Sequence, residues 1–379
     1  MVATDQFDFD PWVPDLARAL QWRSLPSTEQ RSLTKRLTEL TTAHQTTIAF
    51  CPTHPQAIAQ LVGRGIQLLS TAAEALQTHP QLATLFQPPL RSQTLVTAWR
   101  LWIPWSLHLA QSKTNQYGDR PLVQGLLGVQ GTGKTTLGIV MGILLEALGR
   151  SLLNLSIDDF YLTYGDRQAL RQQDPRLIWR GPPGTHDVPL ALQTLDALLQ
   201  NQDSVPIPRF DKSLHGGQGD RIDPELTGIV DIVWLEGWFV GCAPLDDQRF
   251  EEPLPSPLNS AGDRQFARDC NQRLQAYCPL WERLDQWAVL VPEDYHYSKQ
   301  WRRQAERNRI ANGGMGLTDA EVSDFVDYFW KALHPELFVM LWRNKDISER
   351  SQSKSVSLSP QCVVEIRRDR CLGAIQTIP

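Results

Sequence analysis

The sequence predicts an α/β protein: a parallel β-sheet flanked by helices, preceded by a helical N-terminal domain. Three observations lead there. Apolar residues recur at three- and four-residue spacing through the first part of the chain, as on the buried stripe of a helix. Beyond residue 121, five short apolar runs without polar alternation are separated by helical segments, which is how strands buried on both faces read. Between the first of these runs and the helix after it lies a glycine-rich loop.

Taken in order, residues 14–19 and 27–40 carry the helical spacing, with Ser27 and Gln30 placed like a capping box. Residues 57–76 repeat it through Ile58, Leu61, Val62, Ile66 and Leu69, and 95–109 read as a buried helix whose Trp99, Trp102 and Trp105 belong to the core. The polar, turn-rich stretch 111–121 marks a boundary between a helical domain, 1–118, and an α/β domain, 119–379. The strand runs are 122–127, 152–157, 229–235, 287–291 and 362–366, and a helix over 134–148 follows the first. Thr318 and Glu321 are placed like a capping box for a late helix.

Composition narrows the possibilities. The chain has 379 residues, 41% of them hydrophobic and 21% charged, enough for a sizeable core. A net charge of -5 argues against a broad nucleic-acid-binding face, which needs a basic excess. Arg100, Pro104 and Glu146 interrupt the longer apolar stretches, so no membrane span is expected. Asp5, Asp8 and Asp10 crowd the amino terminus, where a targeting peptide would be basic. The six cysteines form no C-x-x-C pair and read as small hydrophobes in a reducing compartment. A soluble cytoplasmic protein is expected, of an oligomeric state the sequence does not reveal.

The strongest motif is GVQGTGKTT at 128–136, which satisfies G-x-x-x-x-G-K-[ST] with a strand before it and a helix after. Glycines let successive backbone N–H groups turn inward on phosphate oxygens, and the helix dipole adds positive potential there. Gly128, Gln130, Gly131, Thr132, Gly133, Lys134, Thr135 and Thr136 are therefore expected to line a nucleoside triphosphate site. Lys134 would neutralise the β- and γ-phosphates, and the Thr135 hydroxyl would ligate Mg²⁺.

In an open α/β sheet the ligand lies beyond the carboxyl ends of the strands, so acids at those ends are informative. Glu236 closes the run 229–235 and suits Mg²⁺; Asp231 lies five residues earlier, towards the wrong end, and reads as structural. Asp158 and Asp159 follow the second run, where phosphoryl transfer to an alcohol needs a carboxylate to orient the hydroxyl. Either could serve; an Asx turn or helix cap is the competing role. Residues 299–311 are helical in composition, with Arg302, Glu306 and Arg309 on one face and Arg303 and Arg307 on the next. Lys299 and four arginines exceed what the single acid Glu306 can pair, and glycines follow at 313, 314 and 316. The segment about 299–316 is thus expected to be a hinged lid that brings arginines onto the transferring phosphate.

With these pieces in place the chain resembles the D-glycerate 3-kinases of the plant and cyanobacterial type, within the P-loop kinase group that includes uridine, pantothenate and phosphoribulose kinases. The matching motifs are GVQGTGKTT, SIDDFYLT (156–163), RGPPGTHD (180–187), PRFDKSLHGGQGDR (208–221), WLEGWFVG (234–241) and QWRRQAERNR (300–309). The resemblance implies that Asp158 is the base for the acceptor hydroxyl. It places Arg180, His186 and Asp187 in a loop closing on the acceptor, and Lys212, Asp220 and Arg221 in the loop covering it. Arg302 and Arg303 match the lid that contacts phosphates. Gln218, where the family often carries Arg or Lys, is given no role.

The residues alone are compatible with a small hydroxy acid: Arg180, Lys212 and Arg221 offer cations for a carboxylate, while Asp159, Asp187 and Asp220 offer acceptors for hydroxyls. The expected activity is ATP- and Mg²⁺-dependent phosphorylation of the 3-hydroxyl of D-glycerate, the position of the hydroxyl coming from the resemblance. A kinase for a nucleoside or pantothenate, or a nucleotide-switch ATPase, are the alternatives.

Overall fold

The computed structural model describes residues 9–311, 313, 316–343 and 359–377. They form two compact units. One comprises the described residues up to Gly118 with Thr135–Leu152 and Ala374–Thr377; the other comprises Asp119–Lys134 and the described residues of Leu153–Gly373.

The first unit is helical: α1 (Val13–Ala19), α2 (Ser27–Ala43), α3 (Pro55–Thr78), α4 (Arg91–Thr97) and, after one wider turn, α5 (Ile103–Ser112). Along α3, Ile58, Val62, Ile66 and Leu69 are fully buried, the stripe the spacing predicts. Trp99, Trp102 and Trp105 are core residues as expected. Two expectations fail locally. The α2 cap position is taken by Pro26, so no Ser27–Gln30 box forms and the Gln30 amide instead donates to the Trp22 carbonyl at 3.0 Å. The stretch 111–121, read as turn-rich, begins as helix, because a helical turn over Lys113–Tyr117 continues α5. Helix α6 (Lys134–Ala147) follows the phosphate loop.

The second unit holds most of a six-stranded sheet in the order β2-β5-β1-β6-β7-β8. Its strands are β1 (Leu122–Gly128), β2 (Leu152–Ser156), β5 (Ile232–Gly237), β6 (Gln286–Pro292), β7 (Cys362–Ile366) and β8 (Leu372–Thr377). β1 pairs in parallel with β5 and β6, and β6 with β7. Every residue of β1 and β6 is buried, which explains why these strands read as unbroken apolar runs. The register Leu126↔Glu236 sets Glu236 level with the last residues of β1. It lies inside β5, one place before its end, and the strand starts at Ile232, three residues later than the apolar run. Asp231 lies at the other end, its carbonyl accepting the Leu122 N–H at 2.9 Å.

A second sheet was not foreseen. Residues 208–221, expected as a covering loop, belong to an antiparallel ribbon of β3 (Val205–Asp211) and β4 (Asp220–Thr227). β8 is likewise additional. Two helices complete the frame of the site: α7 (Tyr164–Gln173) and α8 (Val188–Leu199). No helix of the described residues is long and apolar enough to cross a membrane.

Candidate active site

The phosphate loop links the end of β1 to the start of α6. Gly131 and Gly133 both have φ of +89°, in the left-handed region that favours glycine. At Gly131 a Cβ would stand 2.6 Å from the Cβ of Trp301. The loop closes on itself through the Thr132 hydroxyl, which donates to the Val129 carbonyl at 2.8 Å. Lys134 Nζ donates to the Gly128 carbonyl at 2.7 Å, so its ammonium sits over the loop mouth. Burial lowers the Lys134 pKa against the opposing pull of Glu236 and Asp158, with Lys212 adding repulsion. Four charges thus share one site. Gln130 Oε1 is buried there and has no hydrogen-bond partner among the described residues.

After β2 the chain enters a 3₁₀ turn, residues Ile157–Phe160, under a full capping box. The Ser156 hydroxyl accepts the Asp158 N–H at 3.2 Å, and Asp159 Oδ2 accepts the Ser156 N–H at 2.8 Å. The two adjacent acids therefore separate in role. Asp159, expected among the acceptors for hydroxyls, also accepts from Arg209 Nη1 at 3.2 Å and so helps to hold the turn. Burial, which outweighs the Ser156 N–H and Arg209, pushes its pKa up to about 6. Asp158 points instead at Lys212, whose Nζ donates to it at 2.6 Å. Burial would raise the Asp158 pKa, but Lys212, a hydrogen bond from Tyr161 and the nearby His186 together hold it below the usual carboxylate range.

The motif 180–187 closes against this turn. Tyr161 and His186 form an isolated antiparallel bridge and their rings stack at 4.5 Å. His186 is 5% exposed. Its Nδ1 lies 2.8 Å from the Tyr277 hydroxyl, which accepts the Gly184 N–H at 2.9 Å. Burial, against the pull of Asp158 and with repulsion from Arg167, lowers the imidazole pKa to about 3, so the ring is neutral at physiological pH. Its Nε2 is buried with no hydrogen-bond partner among the described residues.

Asp187 caps α8 through the Leu190 N–H at 3.0 Å and accepts from Arg221 Nη2 at 2.8 Å; Arg221 Nε also donates to the Tyr161 carbonyl. Asp220 accepts the Tyr164 and Arg221 N–H groups at 2.8 and 2.9 Å and faces His215 Nε2 at 3.1 Å. The polar atoms of Asp187, Asp220 and Arg221, expected at the acceptor, tie the β3–β4 ribbon to the Tyr161 segment. Arg180 Nη1 donates to the carbonyls of Gly217 and Gln218 at 2.8 and 2.9 Å.

The cationic helix spans Tyr297–Ala311, and Trp301 on it packs onto Gly131. Three of its five cations find acid partners, two of them on the next helix, Asp319–Ala332. Lys299 pairs with Asp327 at 2.7 Å, Arg307 with Asp319 at 2.6 Å and Arg302 with Glu306 at 2.7 Å. Arg303 Nε is buried and has no hydrogen-bond partner among the described residues. The expected hinge falls partly outside the described residues, at positions 312, 314 and 315. The Thr318–Glu321 capping box is present.

Sequence reasoning missed Tyr161, Tyr277 and Arg167. Tyr161 stood within a quoted motif and carried a signal; Tyr277 and Arg167 lie in plain amphipathic segments with none. The thiols of Cys242, Cys270 and Cys362 are buried and pushed up by that burial, so they pack as expected.

No family model matches the sequence. The chain is 31% identical over 299 residues to the chloroplastic D-glycerate 3-kinase of Arabidopsis thaliana, covering 75% of this chain and 63% of that protein. It is 34% identical over 224 residues to the uncharacterized kinase mug58 of Schizosaccharomyces pombe, covering 55% of this chain and 79% of the relative. Among solved structures, the D-glycerate 3-kinase of Cryptococcus neoformans superposes with a TM-score of 0.61 at 30% identity, over 72% of this chain and 97% of that one.

Proposed function

Because the chain belongs to the D-glycerate 3-kinase family of P-loop kinases, we propose that it transfers the γ-phosphoryl group of ATP to the 3-hydroxyl of D-glycerate. The observation that carries this reading is the meeting of Lys134, Glu236, Asp158 and Lys212 in one electrostatic site. A donor lysine and a carboxylate free of capping duty then face the same small volume.

The donor set fits a triphosphate with Mg²⁺. The positive-φ glycines open the loop amides inward, and the oxygen ligands on offer, the Thr135 hydroxyl and the Glu236 carboxylate, are what Mg²⁺ takes beside phosphate oxygens. Mg²⁺ bound there would neutralise charge on the β- and γ-phosphates. The loop amides and Lys134 bind and orient the donor. Asp158, ionised by its bond to Lys212, accepts the acceptor hydroxyl's hydrogen bond and aims its oxygen at phosphorus. The same ammonium weakens Asp158 as a base. Little is lost, because a loose phosphoryl transition state asks for proton removal only late. Arg302 and Arg303 are assigned to the lid, where they exclude water and meet charge on the transferring group.

The test is ADP release with D-glycerate and MgATP, the product being resolved as the 2- or 3-phosphate. Formation of the 3-phosphate is expected. Asp158→Asn should lower kcat by about 10²–10⁴-fold with little change in the KM for ATP. An inert D-glycerate with an active nucleoside would assign another acceptor, and an unchanged kcat would remove Asp158 from the mechanism.

A further inference from the structure

Three cations stood as candidates for the carboxylate of a hydroxy acid: Arg180, Lys212 and Arg221. Two of them are already met by a carboxylate. Lys212 Nζ lies 2.6 Å from Asp158, and Arg221 Nη2 lies 2.8 Å from Asp187. Arg180 differs. It donates only to the carbonyl oxygens of Gly217 and Gln218, and no ion pair joins it to a described carboxylate.

A second guanidinium shares this situation. Arg167, in the first half of α7, donates Nη2 to the carbonyls of Gln218 at 2.8 Å and Gly219 at 2.6 Å, and Nη1 to that of Leu162 at 2.7 Å. It too has no ion pair with a described carboxylate. Both guanidinium carbons stand over the ring of Phe210, 5.1 Å from its centroid for Arg167 and 5.5 Å for Arg180. Two full positive charges thus converge on one carbonyl oxygen, that of Gln218, and on one aromatic ring. Burial and then the charge of Arg180 lower the Arg167 pKa, as expected for like charges held together. Asp220 opposes that effect, but its own oxygens are engaged with Tyr164, Arg221 and His215.

Carbonyl dipoles do not balance two guanidinium charges, whereas one carboxylate can accept from both planar forks. The position suits the chemistry. Phe210 packs edge-on against Tyr161 at 5.0 Å, and Tyr161 hydrogen-bonds Asp158, so two rings link the cationic pair to the base.

We propose that Arg167 and Arg180 together hold the carboxylate of the acceptor, while Lys212 and Arg221 serve to orient Asp158 and Asp187. The proposal rests on the reading of the acceptor as a small hydroxy acid. On binding, the carboxylate takes hydrogen bonds that both arginines make to the turn 217–219.

Initial rates of the full chain at saturating MgATP test it, with D-glycerate varied. Arg167→Gln and Arg180→Gln should each raise the KM for D-glycerate about 10- to 100-fold. The KM for ATP should stay within twofold, and Arg167→Lys should recover part of the loss. Gln168→Ala separates charge from scaffolding: it removes the Gln168–Gln218 side-chain bond of 3.0 Å on the same turn without altering charge, and should leave the KM for D-glycerate within twofold. The assignment is overturned if Arg167→Gln keeps the wild-type KM for D-glycerate, or if Gln168→Ala raises it equally. Wild-type protein inert towards D-glycerate would instead overturn the acceptor reading beneath it.

Discussion

Asp158 and Asp159 are chemically identical neighbours, and their hydrogen-bond partners alone divide them. One closes a turn and pairs with Arg209; the other is held ionised by Lys212 and Tyr161. That division was not legible in the sequence, since which of two adjacent acids caps a turn depends on the backbone angle where the strand ends. His186 shows the same dependence on surroundings. Its folded pKa of about 3 lies below the ordinary 6.5, so as pH falls through 6.5 the unfolded chain takes up a proton that the folded chain refuses. Stability from this residue is complete above pH 6.5 and is lost as pH falls towards 3. His334, lowered to about 4 mainly by burial, acts in the same direction. Asp159, raised to about 6, acts in the opposite one, favouring the folded state as pH falls. Two histidines against one carboxyl leave a net acid lability. Each histidine should contribute about 2 kcal/mol of the loss between pH 6.5 and 5. Urea unfolding at both pH values should therefore give a shallower pH dependence for His186→Gln than for wild type. An equal slope would show that His186 is protonated in the folded state.

At the scale of elements, the phosphate loop was legible and the β3–β4 ribbon was not, for reasons of backbone chemistry. The loop needs glycine at fixed offsets, and such a requirement leaves a written pattern. The ribbon carries Pro206, Pro208 and Pro224, residues that cannot donate to a ladder and that argue against a central strand. They are tolerated because a two-stranded ribbon is all edge. The helix Tyr297–Ala311 was legible only in part: the acids that pair two of its cations, Asp319 and Asp327, stand on the following helix, and a count within one segment misses them. Trp301 gives that helix a structural duty beside its arginines, and a comparison of two glycines measures it. Gly131→Ala and Gly133→Ala both force an alanine into the left-handed region, at about 1–2 kcal/mol each. Only the first also drives a Cβ into Trp301, since nothing lies within 4 Å of a Cβ at Gly133. Thermal melts without nucleotide should show the larger loss for Gly131→Ala, and equal losses would mean that the Trp301 contact yields without cost.

For the whole molecule, the class of fold followed from strand texture, because strands buried on both faces read as unbroken apolar runs. The acceptor side was less legible: its residues come from the turn after β2, from α7, from 180–187 and from the ribbon, and only tertiary pairing decides which charges face a ligand. Donor and acceptor functions can nevertheless be separated by linkage. A ligand that binds the folded chain alone stabilises it by RT ln(1 + [L]/Kd), about 2.7 kcal/mol at a hundredfold excess over Kd. MgADP should raise the unfolding temperature of wild type, and Lys134→Ala, which removes the ammonium held at 2.7 Å from the Gly128 carbonyl, should abolish the rise. Asp158→Asn should retain it in full while losing turnover. Loss of MgADP stabilisation in Asp158→Asn would show that the carboxylate supports the donor site as well, and the division of labour between the phosphate loop and the turn after β2 would fail.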